Sequence, residues 1–148
     1  LILGGKNRQQ STFNALKFLI KNKDVTKVLI HDVARPNFSE KLMSSIMKNM
    51  LNARAVIPKI EIQDAIKQII DSSKEEYLVG KNRDNLFLTQ TPQAFNLKEI
   101  YRLHKTNSGK YKDDDISLYM DLNKVKFIDG EKNNFKITDQ YDFENLNL

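Results

Sequence analysis

At 148 residues, 40% hydrophobic and 29% charged, the chain is long enough for one domain with a core of its own and too apolar for intrinsic disorder. No apolar run approaches the roughly 20 residues of a membrane-spanning helix, and no signal peptide is visible. The absence of cysteine excludes disulfides and thiolate metal sites, and two histidines are too few for a His-rich one. The net charge of +5 suits an enzyme for anionic substrates or a nucleic-acid binder, or else reflects a bias towards Lys, Asn and Ile codons. Because the lysines are scattered, with no basic block and no interleaved arginines and aromatics, neither a nucleic-acid nor a membrane partner is expected.

In chain order, Leu1-Ile2-Leu3 reads as a short buried strand ending in the Gly4-Gly5 turn. A domain seldom starts in mid-strand, so a preceding segment is expected to be missing. Phe13, Leu16, Leu19 and Ile20 recur at helical spacing, with Ser11 as the N-cap. Val28-Leu29-Ile30 is a continuous apolar run of the kind a doubly covered strand shows. Ser39, with Glu40 in the first turn, opens a second amphipathic helix, and a third strand follows over 53–58. This β-α-β-α-β order predicts an α/β fold: a Rossmann-like, doubly wound, mostly parallel sheet.

The pattern changes from Lys59 to Gln90. Residues 64–70 and 75–80 alternate around a turn at 71–74, which predicts a β-arm projecting from the sheet. Its apolar positions need cover, and a second copy of the chain would supply it. Residues 86–91 predict a strand stopped by Pro92. Helices are expected over 96–106 and 114–122, a strand over 124–130 closed by Gly130, and a last helix capped by Thr138 or Asp139. Without repeats or linkers, 1–148 reads as one domain, with 59–90 as its dimerisation arm.

Polar clusters fall where strands end, which is where open α/β sheets bind ligands. Gly4 and Gly5, with Arg8 and Ser11, either form a plain turn or bring backbone N–H groups close to a phosphate or base. Asp32 and Arg35 are either a surface pair or an anion grip with a metal- or hydroxyl-binding carboxylate. His31 reads as structural. Asp64 with Lys67, and Arg83 with Thr91, are singly unremarkable. Lys136, between Phe135 and Ile137 in a strand-like stretch, has to snorkel or meet an anion. Asp113, Asp114 and Asp115 either coordinate Mg²⁺ or cap a helix, and the cap is preferred.

Taken in order, GGKNRQQS, HDVARP, DAIK, QTPQAF and NNFKITDQYDF resemble the methylerythritol-phosphate cytidylyltransferases of the non-mevalonate isoprenoid pathway, from Gly4 to about Phe143. The resemblance implies a cytoplasmic nucleotidyltransferase fold that uses CTP, a polyol phosphate and Mg²⁺. It implies that Gly4, Gly5, Arg8, Ser11 and Val33 bind the nucleotide, and that Asp32, Arg35, Thr91 and Asp64 lie at the substrates. Arg83 and Lys136 are the implied catalytic pair, with Arg83 reaching over from the other subunit of a homodimer. No residue of the chain is implied as a metal ligand.

There are also departures from the family pattern. Nothing matches the family's N-terminal glycine-rich loop, so weak turnover is expected from these residues alone. Ala65 and Asp113 stand where the family has Thr. Those two changes leave ribitol phosphate or another polyol phosphate open as acceptor, and a non-catalytic dimerising remnant is the alternative of another class. Some family members carry a cyclodiphosphate synthase domain downstream.

Overall fold

A computed structural model describes residues 1–71, 76–107 and 112–146. In chain order the elements are α1 (Arg8–Leu19), β1 (Lys27–Ile30), α2 (Glu40–Asn49), β2 (Ala55–Glu61), β3 (Ile66–Asp71), β4 (Glu76–Lys81), β5 (Phe87–Thr89), β6 (Gln93–Asn96), α3 (Leu97–Thr106), a 3-10 turn (Ile116–Leu118), β7 (Val125–Asp129) and α4 (Gln140–Glu144).

The main sheet runs β1-β6-β2, with β7 on the far side of β2. Strands β1, β2 and β7 point the same way. β2 and β7 pair in parallel, with Ile57 opposite Phe127. β6 lies between β1 and β2 and runs against both, setting Val28 and Ala55 opposite Phe95. Before the cis Thr91–Pro92 bond, β5 pairs with the far end of β2 along the same edge as β6, Lys59 opposite Thr89. The strand expected to stop at Pro92 is the shorter β5, and β6, just beyond the proline, is a strand that sequence reading does not predict; proline has no N–H to donate to a ladder and separates the two.

Alternation along β2 sends Ala55 and Ile57 to one face and Val56 to the other. On the first face they join Leu16 of α1, Leu97 and Ile100 of α3, Phe95 and Tyr119. On the second, Val56 and Ala94 meet Leu42, Ile46 and Met50 of α2. Helices thus cover both faces, which explains the continuous apolar runs of the strands.

Three local expectations are corrected. Leu1 to Leu3 form no strand, and Leu1 and Leu3 are exposed; among the described residues no strand offers them a ladder. The N-cap of α1 is Asn7, not Ser11: Asn7 has extended backbone and its Oδ1 accepts the Gln10 N–H, whereas Ser11 lies inside the first turn. Residues 114–122 hold a single 3-10 turn rather than an α-helix. As expected, Ser39 caps α2, accepting from the Leu42 N–H, and Asp139, the second of the two caps considered, opens α4.

Strands β3 and β4 form a separate two-stranded sheet, the expected arm. Most of the turn predicted at 71–74 lies outside the described residues. Ile69 and Leu78 face each other across the arm, and both are about two-thirds exposed.

Candidate active site

Strand direction decides what gathers at the rim. β1 ends at Ile30 and delivers His31 and Asp32. β7 ends at Asp129 and delivers the 130–137 loop. β6, running the opposite way, begins at that rim, so Thr91 and Gln90 just before it arrive there too.

Asp32 is the hub. Its Oδ1 is 3.5 Å from Arg8 Nε, and its Oδ2 lies 3.5 Å from Lys136 Nζ and 3.8 Å from Arg35 Nε. Its backbone N–H donates to Thr91 Oγ1 at 3.0 Å. Thr91 Oγ1 is also 3.0 Å from His31 Nδ1, and His31 Nε2 is 2.9 Å from the Arg35 carbonyl. His31 therefore locks the turn that carries Asp32 and Arg35, as its structural reading required.

Several cations facing one carboxylate leave the rim net positive. Arg35 is largely buried; its NH1 donates to the Asn134 carbonyl at 2.8 Å, and its Nε has no hydrogen-bond partner among the described residues. Burial pulls its pKa down from the usual guanidinium value, against the opposing pull of Asp32. A buried N–H without an acceptor is costly, and an anion at this rim would supply one. For Arg8 burial also acts downwards, but Asp115 and then Asp32 outweigh it and raise the pKa.

Lys136 is in extended coil rather than in a strand. The loop touches β1's turn through one backbone bond, Ile137 N–H to the Ala34 carbonyl at 2.8 Å, and no ladder forms. Two buried amides hold it. Gln90 Nε2 donates to the carbonyls of Glu131 and Asn134, and Asn134 Nδ2 donates to the Thr91 carbonyl at 2.8 Å. A Cβ at Gly130 would crowd Gln90 Oε1 and the Lys59 carbonyl, so this corner requires glycine.

At the start of α1, Ser11 Oγ accepts the Gly5 N–H at 2.9 Å and donates to the Asn7 carbonyl at 3.0 Å. This tightens the glycine turn in front of Arg8. A Cβ at Gly5 would overlap Gln10, whereas Gly4 has ordinary room. Val33 is almost fully exposed on the lip beside Asp32.

Arg83 and Asp64 are elsewhere. Arg83 donates to the Gln63 carbonyl at the base of the arm and lines a cavity of about 260 Å³ with Lys59, Glu61 and Phe87. Asp64 is exposed. Among the described residues no hydrogen bond or ion pair joins either to Asp32, Arg35 or Lys136.

The acidic run divides three ways. Asp113 is exposed. Asp114 accepts from Thr89 Oγ1, Gln93 Nε2 and the Ser117 N–H, which fixes the 3-10 turn; no α-helix follows for the run to cap, and Asp115 at the turn's cap position makes no capping bond. Burial works to raise its pKa, but those donors, Ser117 foremost, hold it below the usual carboxylate value. Asp115 is buried and binds Arg8 NH2 at 2.7 Å and His104 Nε2 at 2.8 Å. Each is thus engaged elsewhere or apart, and no group of three or more His, Asp or Glu side chains among the described residues could hold a metal ion. The described residues do not form a magnesium cage. Sequence reading overlooked His104, Gln90 and Asn134, and placed Asp115 only in an acidic run. Their signal is a polar side chain with no exposure, which spacing does not reveal.

The profile of the family described as "IspD: 2-C-methyl-D-erythritol 4-phosphate cytidylyltransferase" matches residues 1–147. The chain is 40% identical over 148 residues to the bifunctional enzyme IspD/IspF of Pelagibacter ubique, covering 100% of this chain and 38% of that protein. It is 40% identical over 147 residues to the 2-C-methyl-D-erythritol 4-phosphate cytidylyltransferase of Prochlorococcus marinus (strain MIT 9215), covering 97% of this chain and 64% of that one. The crystal structure of 4-diphosphocytidyl-2C-methyl-D-erythritol synthase from Anaerococcus prevotii superposes with a TM-score of 0.79 at 35% identity, over 95% of this chain and 63% of that one. The chain therefore spans less than two-thirds of the length of these relatives.

Proposed function

We propose, from the premise that this chain belongs to the family of 2-C-methyl-D-erythritol 4-phosphate cytidylyltransferases, that it carries the rim on which such a protein joins CTP to methylerythritol phosphate. The reaction is nucleotidyl transfer. A phosphate oxygen of the acceptor attacks the α-phosphorus of CTP, the bond to the β-phosphate breaks, and pyrophosphate leaves with its electron pair. No covalent enzyme intermediate is required. The obstacle is the approach of two anions, and aligned cations lower it.

The observation that carries this reading is the gathering of Arg8, Arg35 and Lys136 around Asp32. Lys136, nearly half exposed, is the cation able to follow charge onto the α-phosphoryl oxygens. Arg35, with its unpartnered Nε, takes a phosphate. Asp32 and Thr91 orient the cations and the acceptor, while the Gly4-Gly5 turn, Arg8, Ser11 and Val33 receive the nucleotide. Arg83, with Asp64, acts from the partner subunit, which accounts for its distance from Lys136 within one chain. A divalent cation, where the reaction uses one, would be held mainly by the substrate phosphates and would neutralise part of their charge. The chain reads as one domain with residues 59–90 as a dimer arm, working in the cytoplasm. No helix among the described residues is long and apolar enough to cross a membrane.

The test is pyrophosphate release by the full-length gene product, given CTP with methylerythritol phosphate or ribitol phosphate. Release that needs both CTP and methylerythritol phosphate is expected. Faster release with ribitol phosphate would transfer the assignment to that acceptor, and none with either would leave the non-catalytic reading.

A further inference from the structure

The rim described so far ends at Arg8, but the contacts behind Arg8 do not. Its guanidinium lies between two carboxylates, Asp32 at 3.5 Å on the open side and Asp115 at 2.7 Å on the closed side. Asp115 is 1% exposed, and its second oxygen is 2.8 Å from His104 Nε2; His104 is itself 2% exposed. Phe13, on the same helix as Arg8, stacks on the His104 ring with centroids 6.2 Å apart and planes 8° from parallel. His104 Nδ1 has no hydrogen-bond partner among the described residues, so the ring's polar contact is with Asp115.

We infer that His104 and Asp115 are positioning residues for Arg8, a buried imidazole–carboxylate support that fixes the direction in which the guanidinium faces an incoming nucleotide phosphate. This rests on the reading of Arg8 as nucleotide-binding. A long arginine side chain must lose rotamer freedom before it can hold an anion. Here the two ion pairs within the protein itself already restrict that freedom, the condition under which a contact contributes most to affinity. A carboxylate this deeply buried needs every lone pair satisfied. Removing His104 leaves one Asp115 oxygen unpaired, so the carboxylate turns and Arg8 turns with it.

The test uses the full-length protein. His104→Leu and Asp115→Asn should each raise KM for CTP about tenfold with little change in kcat, the size expected of coupled neighbours. His104→Gln, whose amide N–H can donate to Asp115, should restore most of it. Because all act through Arg8, Arg8→Gln with His104→Leu should be no worse than Arg8→Gln alone. Multiplied effects, or a lowered melting temperature with KM unchanged, would overturn the proposal.

Should a variant fail to fold, the wild type still decides by NMR. The Arg8 Nε–H signal should be protected from exchange in the substrate-free protein and shift on addition of CTP; an exchanging or unmoved signal overturns the proposal. A shifting Arg8 signal in a protein that releases no pyrophosphate refutes the catalytic reading and leaves this one standing. Turnover with an unmoved signal does the reverse.

Discussion

In the proposed reaction Asp32 holds the rim together and Lys136 acts on the substrate. Asp32 is mostly enclosed and neutralises cations that would otherwise repel one another, while Lys136 has nearly half its side chain in solvent and, among the described residues, a single carboxylate within ion-pair distance. Replacing Lys136 with Met should therefore leave the melting temperature unchanged and lower kcat on the order of 10²- to 10³-fold, the loss typical when a transition-state cation or donor is removed. Asp114 shows the opposite profile, being structural and titratable. Its pKa is depressed in the folded state, so its contribution is fully present above the unfolded value near 3.8 and is lost as pH falls through the folded value. Asp114→Asn should be less stable than wild type at pH 7, and the gap in urea midpoints should close below about pH 3.8. A gap independent of pH would place its role in packing alone.

Asp32 and Arg35 could be read from the sequence because they follow the end of β1. The partners of the rim residues could not. Asp115 meets Arg8 across 107 positions of chain, and Asn134 meets Thr91 across 43, distances over which spacing carries no signal. Lys136 was correctly singled out for an unusual setting, although that setting is an amide-pinned loop and not a strand.

Among the elements, β6 and the arm deserve separate arguments. β6 is four residues long and runs against its neighbours, yet it is what brings Thr91 to the same rim as Asp32. An all-parallel sheet would have sent the start of that strand to the opposite end. Local periodicity does not predict β6, and it could not show that the strand inserts between β1 and β2, because strand order is fixed by long-range pairing. The arm was legible for the converse reason: its two strands are adjacent in sequence, and alternation alone defines them. A lone two-stranded sheet is marginal in water, and the facing Ile69 and Leu78 leave an apolar spot on it. If a second copy covers that spot, Leu78→Glu should shift the protein from dimer to monomer in analytical ultracentrifugation. Activity would fall with it, because Arg83 would lose its partner site. A variant that stays dimeric would place the interface elsewhere.

At the scale of the whole molecule, the family inferred from ordered motifs is the one whose profile matches residues 1–147. Helices on both faces of the sheet leave its rim as the place for ligands, and the cations converge there despite lying far apart in sequence. The scattered lysines behind the net charge of +5 are largely separate from this; the rim is built by topology, not by a basic run. The most direct measurement is a crystal structure of the full-length protein with CTP and methylerythritol phosphate bound. Phosphate oxygens from both substrates should lie within roughly 3 Å of the cationic groups of Arg35 and Lys136. Density for either phosphate anywhere else, such as the groove between Lys41 and Lys126, with Lys136 still turned to Asp32, would contradict it.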